Sequence, residues 1–144
     1  MRCKTLVALA TVFALLAPAA PAAAAIRITK VYVNPPGSDT GSNRSLNNEY
    51  IRLRNTGSKA RRLTGWKLRD RGADHTYTFG AYRLRPGTNV TIHTGRGSDT
   101  RRHRYWDMDW YVWNNTGDTA RLRNRSGTLV DGCRWGTVNS YTRC

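Results

Sequence analysis

The sequence predicts an all-β domain behind a short N-terminal leader. Three observations carry this. After residue 25, short apolar and β-branched runs are separated by Gly, Pro, Asn and Asp clusters about every ten residues. No stretch there keeps the ~3.6-residue period of an amphipathic helix. An apolar-basic-Leu-basic pattern also recurs, in Ile51-Arg52-Leu53-Arg54, Trp66-Lys67-Leu68-Arg69, Tyr82-Arg83-Leu84-Arg85 and Ala120-Arg121-Leu122-Arg123. Strands so short and so regularly interrupted build a sandwich or a barrel.

The strands are expected in order. The first covers residues 26–33 and ends at Asn34-Pro35-Pro36-Gly37. Residues 38–48 are polar, rich in Ser, Asn and Gly, and read as a loop. Strands follow over 49–54, 63–69, 75–79, 89–93, 110–113, 119–123 and 128–133, with turns at Asn55-Thr56-Gly57, Pro86-Gly87, Thr116-Gly117 and Ser126-Gly127 between them. Side chains alternate faces along a strand. Arg52, Arg54, Lys67, Arg69, Arg121 and Arg123 should therefore point to solvent, as one cationic face if their strands are neighbours and as scattered charge if not.

The leader has its own signature. Arg2 and Lys4 precede an apolar run over residues 6–16, and residues 17–25 are all Ala or Pro. That is the order a signal peptidase requires, with Ala23 and Ala25 framing an Ala-x-Ala site. Residues 1–25 are expected to be a cleaved signal peptide and residues 26–144 the mature domain. The apolar run is shorter than the ~20 residues that cross a bilayer. No second run follows it, so no integral membrane association is expected. The destination is outside the cell, secreted or associated with the cell wall.

The net charge of the 144-residue chain is +15, and removal of the leader leaves +13. Such charge favours acidic partners: nucleic acid, anionic wall polymers or acidic surfaces. Two origins account for it, a basic surface under selection or an Arg-rich codon bias that also serves solubility. Cys133 and Cys144 remain after the leader, and an even pair in an exported chain reads as a disulfide.

Little in the sequence points to catalysis. His75, His93 and His103 have no His-x-x-x-His spacing, and no Gly-x-Ser-x-Gly or Cys-x-x-Cys occurs. No metal, cofactor or catalytic residue is expected. Asp107 and Asp109 flank Met108, with no further ligand set in view, and are read as neutralising nearby arginines. Residues 94–109 form a long connection that holds Arg101, Arg102, Arg104, Tyr105 and Trp106. Basic side chains beside aromatics pair with phosphates and stack on bases or sugars. The competing role for Tyr105 and Trp106 is to cap one end of the sandwich.

Two segments resemble a known family. Glu49-Tyr50-Ile51-Arg52-Leu53-Arg54-Asn55 and Leu63-Thr64-Gly65-Trp66-Lys67-Leu68-Arg69-Asp70 resemble the opening of the lamin-tail domain. Asn115-Thr116-Gly117-Asp118 and Gly127-Thr128-Leu129-Val130-Asp131 are similar to its later turns. The resemblance implies an immunoglobulin-like β-sandwich without catalytic residues, found exported in bacteria and used in nuclear lamins as an interaction module. Arg52 departs from the pattern, which often has an acidic residue there.

The expected function is a secreted, non-catalytic module that binds an anionic polymer, either extracellular nucleic acid or a cell-wall polyanion. Arg101, Arg102, Arg104, Tyr105 and Trp106 are its candidate residues, with Arg52, Arg54, Arg121 and Arg123 on the strands. The alternative is a structural or protein-interaction domain whose charge serves solubility and wall retention, with an extracellular protein as partner.

Overall fold

The computed structural model describes residues 25–72 and 74–144, so the expected leader lies outside the described residues except for Ala25. In chain order the elements are β1 (Ile26–Tyr32), α1 (Asn43–Asn48), β2 (Tyr50–Asn55), β3 (Arg61–Arg62), β4 (Lys67–Arg69) and β5 (Thr76–Thr78). They continue with β6 (Arg83–Leu84), β7 (Asn89–His93), β8 (His103–Tyr105), β9 (Asp118–Arg123), β10 (Leu129–Trp135) and β11 (Tyr141–Arg143). A five-stranded sheet runs β11-β1-β2-β7-β8 and a four-stranded sheet runs β10-β9-β4-β5. Strands β3 and β6 pair separately as a small ribbon. All neighbours are antiparallel except β7 and β8, which are parallel. This is the expected β-sandwich.

Alternation sets the layers. Ile51 and Leu53 on β2, Val90 and Ile92 on β7, Leu68 on β4 and Ala120 and Leu122 on β9 all turn inward. Strict alternation on β1 would bury Lys30 behind Ile26 and Ile28. A bulge between Ile28 and Lys30 resets the parity, so Val31 is buried and Lys30 faces out. Phe79, Trp113 and Trp135 add most of the aromatic volume of the core. Trp66, which shares strand parity with the buried Leu68, is only partly buried and packs against the cluster from its margin.

Several turns follow the sequence reading. Asn55 ends β2 and accepts the Gly57 N–H at 3.0 Å, while its amide donates to the carbonyls of Lys59 and Leu84. Asp70 ends β4 and binds both the His75 backbone N–H and the His75 ring. Gly87 sits at φ +67°, in the left-handed region that favours glycine.

Several expectations are corrected. Residues 38–48 are not all loop. Ser42 caps α1 by accepting the Ser45 N–H at 3.3 Å, and Leu46 is the helix's buried residue. With one apolar anchor in six residues, α1 shows no periodicity to read. Residues 110–113 are not a strand. Their aromatic content mimics strand preference, but the N–H groups of Val112 and Trp113 go to the Glu49 carboxyl at 3.3 and 2.7 Å. The edge strand is instead β8, inside the expected connection over 94–109. Asp99 and Thr100 help close the turn into it, accepting the N–H groups of Tyr105 and of Arg102 and His103. Strands β3, β6 and β11 lie outside the expected set, and the strand expected over 63–69 begins only at Lys67, residues 63–66 forming a turn.

Cys133 and Cys144 form the expected disulfide, with Cα atoms 5.7 Å apart. Cys133 lies on β10, at the edge of one sheet, and Cys144 follows β11, at the edge of the other. The bridge therefore closes one side of the sandwich. Its reduction is expected to lower stability by about 2–3 kcal/mol and to speed amide exchange at residues 141–143. Thermal melts and hydrogen exchange with and without reductant check this, and an unchanged melt would show that β11 docks unaided.

Glu49 is fully buried, and burial, against its bonds from the Trp113 and Val112 amides, pushes its carboxyl from 4.5 up to about 8. The folded state then holds a proton that the unfolded state has released. Stability should fall as pH rises from about 4.5 through about 8, by at most ~1.4 kcal/mol per pH unit from this group. Denaturant titrations at pH 5 and pH 9 should show that slope, with Glu49→Gln less stable than the parent at pH 5 and with a smaller difference between the two pH values. An equal slope in the variant would assign it elsewhere.

Candidate functional site

The outer face of the five-stranded sheet carries Arg27, Lys30, Arg52, Arg54 and Arg143 side by side on three neighbouring strands. Ladder register places Arg143 opposite Lys30, Lys30 opposite Arg52, Arg52 opposite Thr91 and Thr91 opposite His103. A shorter row, Arg27, Arg54 and Asn89, lies further along the strands. On the other flank runs a row of rings: Tyr141, Tyr32, Tyr50, His93 and Tyr105. Neighbouring members of a row are about 4.8 Å apart, the spacing of strands.

Three adjoining depressions follow the cations. One, of about 340 Å³, is lined by Lys30, Arg52, Arg54, Tyr141 and Arg143. A second, of about 370 Å³, shares Arg52 and Asn89 with it and adds Thr91, Arg102 and His103. The third, of about 650 Å³, extends past Arg102 to Arg83, Arg85, Arg101 and Tyr82. No carboxylate lines any of them. Among the described residues, no carboxylate lies within 4.0 Å of Lys30, Arg52, Arg54, Arg102 or Arg143, whereas Arg27 pairs with Asp131 and Arg96 with Asp109. The second pair bears out the charge-neutralising reading of Asp109.

The expected site residues divide into three groups. Arg52, Arg54, Arg102 and Tyr105 meet on this face, with Arg101 at its rim. Arg104 borders the third depression but is held by its own contacts, and Trp106 turns inward. The Arg104 side chain is 17% exposed, paired with Asp99 at 2.8 Å and laid over the Tyr82 ring at 4.2 Å. Trp106 packs edge-on against Tyr77 and Trp113, which is the capping role weighed for it. Arg121 and Arg123 lie on the other sheet, opposite Arg69 and Lys67. Their guanidinium groups bind main-chain carbonyls, Arg121 that of Arg71 at 2.7 Å and Arg123 that of Gly127 at 2.8 Å. The strand cations are thus split between two layers, because β2 and β9 belong to different sheets.

Sequence reasoning missed Lys30, Arg143, His103 and, apart from Tyr105, the tyrosine row. A signal for them was present: Lys30-x-Tyr32, Tyr50-x-Arg52, His103-x-Tyr105 and Tyr141-x-Arg143 each set a ring and a base two residues apart, on one face of a strand.

The two histidines here are coupled. His93 Nδ1 donates to the Asn47 carbonyl at 2.7 Å, which leaves Nε2 to accept from His103 Nδ1 at 2.9 Å. Burial, with the neighbouring His103 adding to it, holds the His93 pKa below its ordinary value against the opposing Asn47 bond. The neutral form of His93 is the one this network uses.

Comparison with known families matches residues 19–137 to the Lamin Tail Domain. The chain belongs to the lamin tail domain family. No curated protein matches it. The lamin tail domain is an immunoglobulin-like interaction domain and is not typically catalytic. The matched span takes in β1 through β10 and stops before β11, so Tyr141 and Arg143 come from beyond it.

The division of residues has a measurable consequence. Trp106→Leu in this lamin tail domain is expected to cost about 2–3 kcal/mol through lost packing. Arg102→Ala should stay within ~0.5 kcal/mol, as for an exposed side chain. Urea titrations of the two variants check this, and a Trp106 variant as stable as the parent would remove its structural assignment.

Proposed function

We propose that this protein is an exported, non-catalytic binding domain that holds an anionic polymer on the outer face of its five-stranded sheet. One observation carries the reading: a run of depressions lined by Lys30, Arg52, Arg54, Arg102 and Arg143 and by no carboxylate. Cations held beside one another without counter-charges gain by neutralising a polyanion and releasing its bound ions. Family membership supports the interaction role. The bonding of the acid and base side chains supports a non-catalytic one. Glu49 and Asp118 serve backbone amides, and His75 is tied to Asp70. The leader-like composition of residues 1–25 supports export, with retention near an anionic cell wall.

A second reading has its own support. Lys67, Arg69, Arg121 and Arg123 place positive charge on the opposite layer as well, as a domain using charge for solubility would. Its mark would be a protein partner that stays bound at high salt.

Titration of the protein against duplex DNA and an anionic glycan separates the two. Affinity is expected to fall about ten- to a hundredfold between ~50 and ~200 mM salt. Joint replacement of Arg52 and Arg102 by Ala should weaken binding about tenfold, since each removes one charged contact. Replacement of Arg121 and Arg123 should leave binding unchanged. No binding to these polymers, or to single-stranded nucleic acid, at low salt would end the proposal.

A further inference from the structure

A row of cations does not distinguish one polyanion from another, but the row of rings beside it does. On four of the five strands of the sheet, one aromatic ring and one basic side chain stand two residues apart on the outer face. These are Tyr141 and Arg143 on β11, Tyr32 and Lys30 on β1, Tyr50 and Arg52 on β2, and Tyr105 and His103 on β8. Two residues along a strand span about 6.8 Å. The ladder register then aligns rings with rings and bases with bases, giving two parallel tracks across the sheet, each about 19 Å from first strand to last. On those four strands each ring has one basic side chain beside it, as a polynucleotide carries one base for each phosphate.

The rings also indicate how such a strand would lie. Successive centroids are 6.0, 5.1, 5.8 and 5.0 Å apart from Tyr141 to Tyr105. A base inserted between two rings needs about 3.4 Å on each side, the stacking rise of nucleic acid, so the rings are too close to admit one. They form a closed ridge on which bases can rest. Tyr105 and His93 stack within 18° of parallel, the other neighbours are tilted by 52–63°, and Tyr141 is the most open of the row, at 44% exposed. The Lys30 ammonium lies 4.0 Å from the Tyr141 centroid and 4.8 Å from that of Tyr32, joining the two tracks. A duplex keeps its base faces covered and has nothing to offer such a ridge. A single strand exposes both of the features that the two tracks match.

We propose that this face binds single-stranded nucleic acid laid across the strands, its phosphates along Arg143, Lys30 and Arg52 and its bases on the ridge formed by Tyr141, Tyr32, Tyr50 and Tyr105. The proposal rests on the polyanion reading above and narrows it to one class of ligand. Part of the face comes from β11, which follows the span shared with the family.

Fluorescence anisotropy with the purified protein and a labelled 20-nucleotide single strand tests it, with a duplex of equal length, inorganic polyphosphate and hyaluronan as competitors. The single strand should bind at least tenfold more tightly than any competitor. Tyr50→Leu and Tyr141→Ser should each weaken single-strand binding about five- to tenfold and leave polyphosphate binding unchanged. Tyr141 is exposed on an edge strand, so Tyr141→Ser keeps the test open if Tyr50→Leu fails to fold, as a thermal melt will tell. Equal binding of polyphosphate and single strand, with the tyrosine variants unaffected, would overturn this proposal and leave the polyanion reading intact. Preference for the duplex or for hyaluronan would overturn it as well. Failure of all four ligands at low salt would remove the polyanion reading itself.

Discussion

Glu49 is the junction on which one end of the sandwich depends. Its carboxyl, fully buried, accepts the main-chain N–H groups of Val112 and Trp113, more than sixty residues along the chain. Its own N–H donates to the Leu46 carbonyl and finishes α1, and its carbonyl accepts from Thr94 at the end of β7. One residue thus joins the helix, the first turn of β2, the exit of β7 and the aromatic segment over 110–113. Buried main-chain donors must find partners. Without this carboxyl the 110–113 segment would need a strand to pair with, and the neighbouring space is filled by Trp106 and Trp135, each packed edge to face on Trp113.

That junction also fixes one border of the binding face. Asn47, two residues before Glu49, gives its carbonyl to His93, and His93 in turn accepts from His103. The parallel pair β7 and β8 is therefore tied to the helix through a chain of ring and carbonyl bonds. At the opposite border, β11 is held to β1 by three register pairs and by the disulfide that follows it. The cationic and aromatic tracks are supported at both ends.

Arginine plays three different parts in this molecule. Arg104 lies over Tyr82 and pairs with Asp99, as a packed side chain. Arg121 and Arg123 satisfy turn carbonyls on the second sheet. Arg52, Arg102 and Arg143 face a depression with no counter-charge. A net charge of +15 summed over the sequence cannot separate these roles. Only the surroundings of each guanidinium decide whether it is available to a ligand.

Much of the fold was legible from local signals. Alternation located β1, β2, β7, β9 and β10, turn residues marked their ends, and the cysteine pair announced its bridge, because each depends on a few neighbouring residues. Strand order was not legible. It decides that Arg52 and Arg121, which occupy matching places in the same local pattern, stand on opposite layers. The bulge at β1 was equally hidden, and it alone turns Lys30 outward to join Arg52 and Arg143. By itself the sequence determined a basic, alternating β-chain of the lamin tail domain family, since period and composition are properties of the chain. The tertiary structure decided which of its cations share a face, since strand neighbours are set by long-range pairing that no local pattern encodes.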